Sequence, residues 1–193
     1  MDSLSQLFEL FAEQGSGDYV GEPVSQVQHS LQCAAHARAA GASEATVAGA
    51  LLHDVGHMLG LRSPEQHSRM DACGTMHHET VGSAWLQGLG FPLETTEIVR
   101  RHVDAKRYLC WKNPAYLAKL SPASTTTLGF QGGPMRDAEA ALFEADPLSK
   151  TILLMRTWDE AAKDPQAAVP DLDSYRPLLL SLLEKEAARR AAA

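Results

Sequence analysis

The densest chemistry in the sequence lies in HDVGH, residues 53–57, which follows the small and apolar run VAGALL. On a helix of 3.6 residues per turn, His53 and His57 share a face, and Asp54 is turned from it by about 100°. An adjacent His and Asp directed inward are costly to bury unless something pairs with them. A metal does so, because the imidazole holds one ion and the carboxylate can bridge two. One such pair fills too few positions, so other helices must supply the remaining donors. The candidates are His29 in VQHSLQCA, His78 in MHHETVG, His102 in IVRRHVDAK and Asp159 in LLMRTWDE, with His77 a rival to its neighbour His78. Taken singly, each histidine reads as a satisfied core residue and His53–Asp54 as a buried hydrogen-bonded pair. Taken together, four His and two Asp match a dinuclear centre built inside a helical bundle.

The elements that must position these residues are helices. Apolar periodicity places them at about 3–14, 25–40, 44–59, 76–89, 94–104, 114–119, 136–144, 147–163 and 172–190, and no alternating β pattern competes. The expected fold is all-α, one domain over residues 1–193, with the metal-ligand core at about 25–163. Two stretches read as loops: GDYVGEP near the start and LSPASTTTLGFQGGP in the middle. The second is long and small-polar, a character that marks functional loops. The formal charge of −7 argues against a general nucleic-acid binder. Cys33, Cys73 and Cys110 show no CxxC spacing, so neither a disulfide framework nor a cysteine zinc site is expected, and a cytoplasmic location fits. The N-terminus lacks the cationic region of a signal peptide, and no apolar run reaches the roughly 18 residues that cross a bilayer.

The order H…HD…H…H…D, with HDVGH and HETVG, resembles the HD-domain superfamily, specifically its six-ligand dinuclear members, over about Asp18 to Glu160. Within it, DYVGEP before the first ligand helix, HVDAK after His102, the SPAS…FQGGPM segment and RTWDE at Asp159 are similar to the organophosphonate oxygenases. That resemblance implies a helical HD bundle holding two Fe ions, mixed-valent Fe(II)/Fe(III), with O2 as co-substrate. The implied reaction is oxidative C–P cleavage of a 1-hydroxy-2-ammonioethylphosphonate. The favoured substrate is (1R)-1-hydroxy-2-(trimethylammonio)ethylphosphonate, giving glycine betaine and phosphate, and the alternative is 2-amino-1-hydroxyethylphosphonate, giving glycine. Two other readings stand beside it. One is a metal-dependent HD phosphohydrolase, although the cyclic-dinucleotide branch typically has Lys where this chain has His57. The other is an HD regulatory module, which normally lacks ligands that this chain keeps. The resemblance also implies that Tyr19 occupies an open iron position until substrate displaces it. By the same resemblance Ser124 and Gln131 touch the substrate, and His57 stands beside the ligands.

Residue spacing adds the means to hold such a substrate. Lys106 is i+4 from His102 and Arg156 is i−3 from Asp159, so both cations share a helix face with a ligand. A pair of cations beside a metal centre suits a phosphonate, Arg offering a fork of donors; the plain alternative is a surface role in helix ion pairs. Tyr19 and Glu22 place a ring and a carboxylate just before the first ligand helix, which suits an ammonium group, unless they form only a turn. The expected partner is a small zwitterionic phosphonate held at both ends, with no nucleic acid and no membrane.

Overall fold

The computed structural model describes residues 2–19 and 21–192; Val20, inside the DYVGEP segment, lies outside them. Eleven α-helices follow one another among the described residues. They are α1 (Ser3–Gln14), α2 (Gln26–Ala39), α3 (Glu44–Leu52), α4 (Val55–Arg62), α5 (His78–Leu89), α6 (Leu93–Lys112), α7 (Pro114–Leu117), α8 (Pro122–Phe130), α9 (Asp137–Ala145), α10 (Ser149–Ala161) and α11 (Arg176–Ala191). Single-turn 3-10 segments span Asp71–Cys73 and Leu172–Tyr175. No strand occurs among the described residues, which carry only two isolated bridges, Asp18–Ser25 and Arg69–Thr75. The all-α expectation holds.

Helix starts follow from local chemistry. Ser25 accepts from the Gln28 N–H while the Gln28 side chain accepts from the Ser25 N–H, a reciprocal box that fixes the entry to α2. Ser43 caps α3 through the Thr46 N–H. The centre of the molecule is α3, where every residue from Ala45 to Leu52 is buried. A helix apolar all round must be surrounded, and α2, α6, α10 and α11 pack around it. Leu51, Leu52, Met58, Leu86, Ile98 and Met155 belong to this core. A smaller cluster of Ala105, Tyr108, Met135, Phe143 and Ile152 holds α9 against the second half of α6.

Three segments differ from the sequence expectation. The helix expected over 44–59 breaks at His53–Asp54, where Asp54 leaves helical geometry at φ −101° and ψ 10°. His53 and His57 therefore sit on separate helices, and the shared-face argument for them fails. Gly56 explains what holds the break in place: a Cβ there would lie 2.0 Å from the His78 carbonyl oxygen, so the start of α4 is pressed directly on the start of α5. The SPAS segment, expected as loop, forms α8. Ser121 caps it through the Ser124 N–H, Pro122 occupies the first turn, and buried Leu128 anchors it. Helix α6 runs on past residue 104 to Lys112, because its buried face continues through Ala105, Lys106, Tyr108 and Cys110.

Candidate metal centre

Six side chains from five helices and one turn converge in the interior. His29 comes from α2, His53 from the end of α3, Asp54 from the break, His78 from the first position of α5, His102 from α6 and Asp159 from α10. Each is at most 6% exposed. They form two groups. In the first, His29 Nε2 lies 3.1 Å from His53 Nε2, 3.4 Å from Asp159 Oδ1 and 3.7 Å from Asp54 Oδ2, while His53 Nε2 is 3.2 Å from Asp54 Oδ2. In the second, His78 Nε2 lies 3.1 Å from His102 Nε2, and both approach Asp54 Oδ1, at 3.3 and 3.4 Å. Asp54 thus turns one carboxylate oxygen to each group. His77, with 69% of its side chain exposed, points away; the structure brings His78 and not His77 into the cluster.

Whether these residues fit metal ions can be judged from their protons. The Nδ1 atoms of His29, His53 and His102 lie 2.9, 2.9 and 2.8 Å from the carbonyls of Ala162, Ala50 and Val99. A carbonyl only accepts, so Nδ1 carries the proton and the neutral ring presents a bare Nε2 lone pair. In the first group two such lone pairs face each other, an arrangement that is repulsive without a cation beside them. Donors held about 2.1 Å from one ion lie about 3.0–3.4 Å apart, close to the separations found. The charge balance agrees. Burial opposes ionisation of Asp54, but His53, His102 and His78 hold its carboxyl well below the usual range. Burial likewise opposes Asp159, and Arg156 and His29 outweigh it. Burial alone would depress His53, yet the Asp54 carboxylate lifts it to about 9, so the surroundings of this ring favour a positive charge, which a metal ion supplies.

A cavity of about 130 Å³ opens onto this cluster. Asp54, His78, His102 and Asp159 line it, whereas His29 and His53 do not. The six residues expected around the substrate line it, Tyr19, Glu22, Lys106, Ser124, Gln131 and Arg156, and so does His57, expected beside the ligands. Lys106, only 5% exposed, donates to Thr127 Oγ1 at 2.8 Å, and burial followed by the nearby Arg156 lowers its pKa to about 8. Arg156 donates to Asp159 Oδ2 at 2.5 Å and to Tyr116 Oη and Glu160 Oε1 at 2.9 and 3.0 Å. Tyr19 stacks on His29 with ring centres 3.9 Å apart, and burial with the Asp54 and Asp159 charges raises its phenol pKa well above the usual value. His57 stacks on His78 at the same distance. Its Nδ1 accepts the Thr75 N–H at 3.0 Å, so the proton of the neutral ring sits on Nε2, the opposite tautomer to the three carbonyl-bound histidines. Burial and His78 push its pKa well down, which keeps it a neutral donor. Glu22 reaches the cavity with its carboxylate engaged: Lys163 Nζ lies 2.6 Å from Oε1.

Several neighbours escaped the sequence reading. Tyr116 and Glu160 grip the back of Arg156, and Thr127 holds Lys106. Glu79 Oε2 stands 3.5 Å behind His78 Nδ1, and both atoms are buried without a hydrogen bond. Glu79 could have been found from its adjacency to a ligand, and Lys163 from its i+4 spacing to Asp159. Nothing in the sequence ties Tyr116 to Arg156, 40 residues on.

The HD-domain family model matches residues 27–150. The chain belongs to the HD-domain family. It is 40% identical to the [1-hydroxy-2-(trimethylamino)ethyl]phosphonate dioxygenase (glycine-betaine-forming) of Leisingera caerulea, over 91% of this chain and 88% of that one. It is also 40% identical to the hydroxymethylphosphonate dioxygenase of Gimesia maris, over 95% and 89%. An uncharacterized protein of Acanthamoeba polyphaga mimivirus is 32% identical over 96% and 84%. Both relatives with a named activity are dioxygenases, and this HD-domain protein is an oxygenase. The phosphohydrolase and regulatory-module readings are set aside. Among the described residues, no helix is long and apolar enough to cross a membrane.

Proposed function

We propose that the protein uses O2 to cleave the C–P bond of a small 1-hydroxyphosphonate, releasing phosphate and the carboxylate formed from C1. One O2 balances the reaction: hydroxymethylphosphonic acid plus O2 has the atoms of formic acid plus phosphoric acid. We assign His29, His53 and Asp159 to one iron, His78 and His102 to the other, and Asp54 to the bridge. When bound, such a pair supplies O2 activation and electron transfer.

The observation that carries the reading is the cavity wall next to the open His78–His102 side, where His57 stacks on His78 and Lys106 lies one helix turn from His102. Lys106 Nζ, the His57 Nε2–H and Arg156 present cationic and neutral donors around a space that also meets Asp54, His78, His102 and Asp159. That pattern suits a phosphonate dianion held beside a metal pair. Burial strengthens each contact and keeps water from C1. Ser124 and Gln131, on and just after α8, complete the same wall.

The far end of the substrate distinguishes two readings. The sequence favours the trimethylammonio compound, and one relative is named for acting on the trimethylamino form. The Glu22–Lys163 pair favours a substrate without a cationic tail, as in the name of the other relative. The three free cysteines fit a reducing cytoplasm. The test loads the protein with iron anaerobically, adds each 1-hydroxyphosphonate, admits O2, and measures phosphate and carboxylate. Phosphate equal to O2 consumed supports the reading. No phosphate from either compound, with two irons per chain present, defeats it.

A further inference from the structure

Glu22 lies in the loop between α1 and α2, and Lys163 just beyond the end of α10, yet their side chains meet at 2.6 Å. Both line the cavity, and both are largely withdrawn from water, at 16% and 23% side-chain exposure. An ammonium group seated on Glu22 would have to share that carboxylate with Lys163 or expel it. Two cations on one anion in a partly desolvated wall repel, and such an arrangement selects against a cationic ligand.

The other receptors for a cationic tail are also compromised. Asp54 and Asp159 face the histidine cluster, and Asp159 is held by Arg156. Asp18 lines the cavity from an exposed position, where water and salt screen its charge. One face of the Tyr19 ring is covered by His29. On the cationic side, the buried Lys106 bonds only the neutral Thr127 hydroxyl among the described residues, whereas Arg69 lines the cavity from an exposed position and is screened as Asp18 is. With Glu22 and Lys163 neutralising each other, the remaining charge at the cavity suits an anion that carries no cation of its own.

We infer that Lys163 is a specificity-determining residue: by occupying Glu22 it tunes the site to a 1-hydroxyphosphonate lacking an ammonium group. This rests on the functional reading above and names the substrate class within it.

The test compares hydroxymethylphosphonate with (1R)-1-hydroxy-2-(trimethylammonio)ethylphosphonate on wild type, Lys163→Met, Lys163→Arg and the double variant Lys163→Met/Glu22→Gln. The readouts are kcat/KM under O2 and anaerobic calorimetric Kd, each taken as the ratio of the two compounds. Wild type should favour hydroxymethylphosphonate, and Lys163→Met should move both ratios toward the trimethylammonio compound by about tenfold. Lys163→Arg, which keeps a cation on Glu22, should retain the wild-type ratio, and Glu22→Gln should cancel the gain in the double variant. A wild-type preference for the trimethylammonio compound, or a ratio unmoved by Lys163→Met, overturns the role of Lys163 while leaving the oxygenase reading intact. If neither compound binds or releases phosphate with any of the four proteins, the functional reading itself falls, and this inference with it.

Discussion

The two halves of the histidine cluster are built alike and placed differently. Each contains a pair of imidazoles whose Nε2 atoms are 3.1 Å apart, the paired residues standing 24 positions apart in the chain. Each has a ring stacked at 3.9 Å on its first histidine, Tyr19 on His29 and His57 on His78. The difference lies in what completes them. The His29–His53 half gains Asp159 and keeps both imidazoles off the cavity, whereas the His78–His102 half has only Asp54 besides and puts both imidazoles on the open space. On the proposed assignment, the donor-rich half would hold its ion and stay out of substrate binding. An open, donor-poor half leaves positions for substrate, which is the feature that separates catalytic from structural metal sites. Their shared member, Asp54, makes the halves one unit.

The largest expected effect breaks the comparison at that member. Asp54→Ala removes the carboxylate common to both halves and should leave at most one iron per chain and abolish phosphate release; elemental analysis with an activity assay checks it. Two irons and near-normal turnover would refute the six-ligand assignment. Removing one donor from each half should then separate them. His53→Ala and His102→Ala should each lose about one iron, but only His102→Ala should also weaken anaerobic phosphonate binding beyond tenfold, because only that half has its imidazoles on the cavity. Equal loss of binding in both variants would show that the halves do not divide as described.

The open half can be sharpened through its cation. Lys106→Ala should raise KM by about 10–100-fold with iron content intact, since a charged hydrogen bond is worth about 1.5–3 kcal/mol. The pH dependence has a definite sign. A lysine with its pKa lowered to about 8 is charged below that pH and neutral above it. Phosphonate capture should therefore weaken as pH rises through about 8, and that limb should vanish in Lys106→Ala. The smallest effect lies behind the site. Tyr116→Phe removes the hydroxyl that receives the Arg156 Nε–H and should raise KM about fivefold, the size of one ordinary hydrogen bond, with kcat little changed. A fall in kcat at constant KM would mean that Tyr116 does more than position the guanidinium.

Most of the centre was legible in the sequence because metal donors are few in kind and expensive to bury. Four histidines and two aspartates set in helical stretches have little reason to lie inside a bundle unless they meet, so residue type and helical pattern together point to the cluster. The same logic placed Lys106 and Arg156, since i+4 and i−3 spacing is a property of the helix alone. The helix starts expected at residues 25 and 44 agree with α2 and α3 to within a residue, because the Ser25 and Ser43 caps that fix them are local.

Tertiary structure decided what local rules leave free. The break at His53–Asp54 interrupts a run whose apolar periodicity continues; the close approach of Gly56 to the His78 backbone accompanies it, and Asp54 turns an oxygen to each half. Helix α8 forms from a run that reads as loop, because Ser121 caps it and Leu128 finds a buried seat. Glu22 reads as a free receptor for an ammonium until Lys163, 141 residues away, arrives beside it. A carboxylate's availability depends on which charges the fold brings near it, and sequence spacing carries that information only within a few turns of one helix.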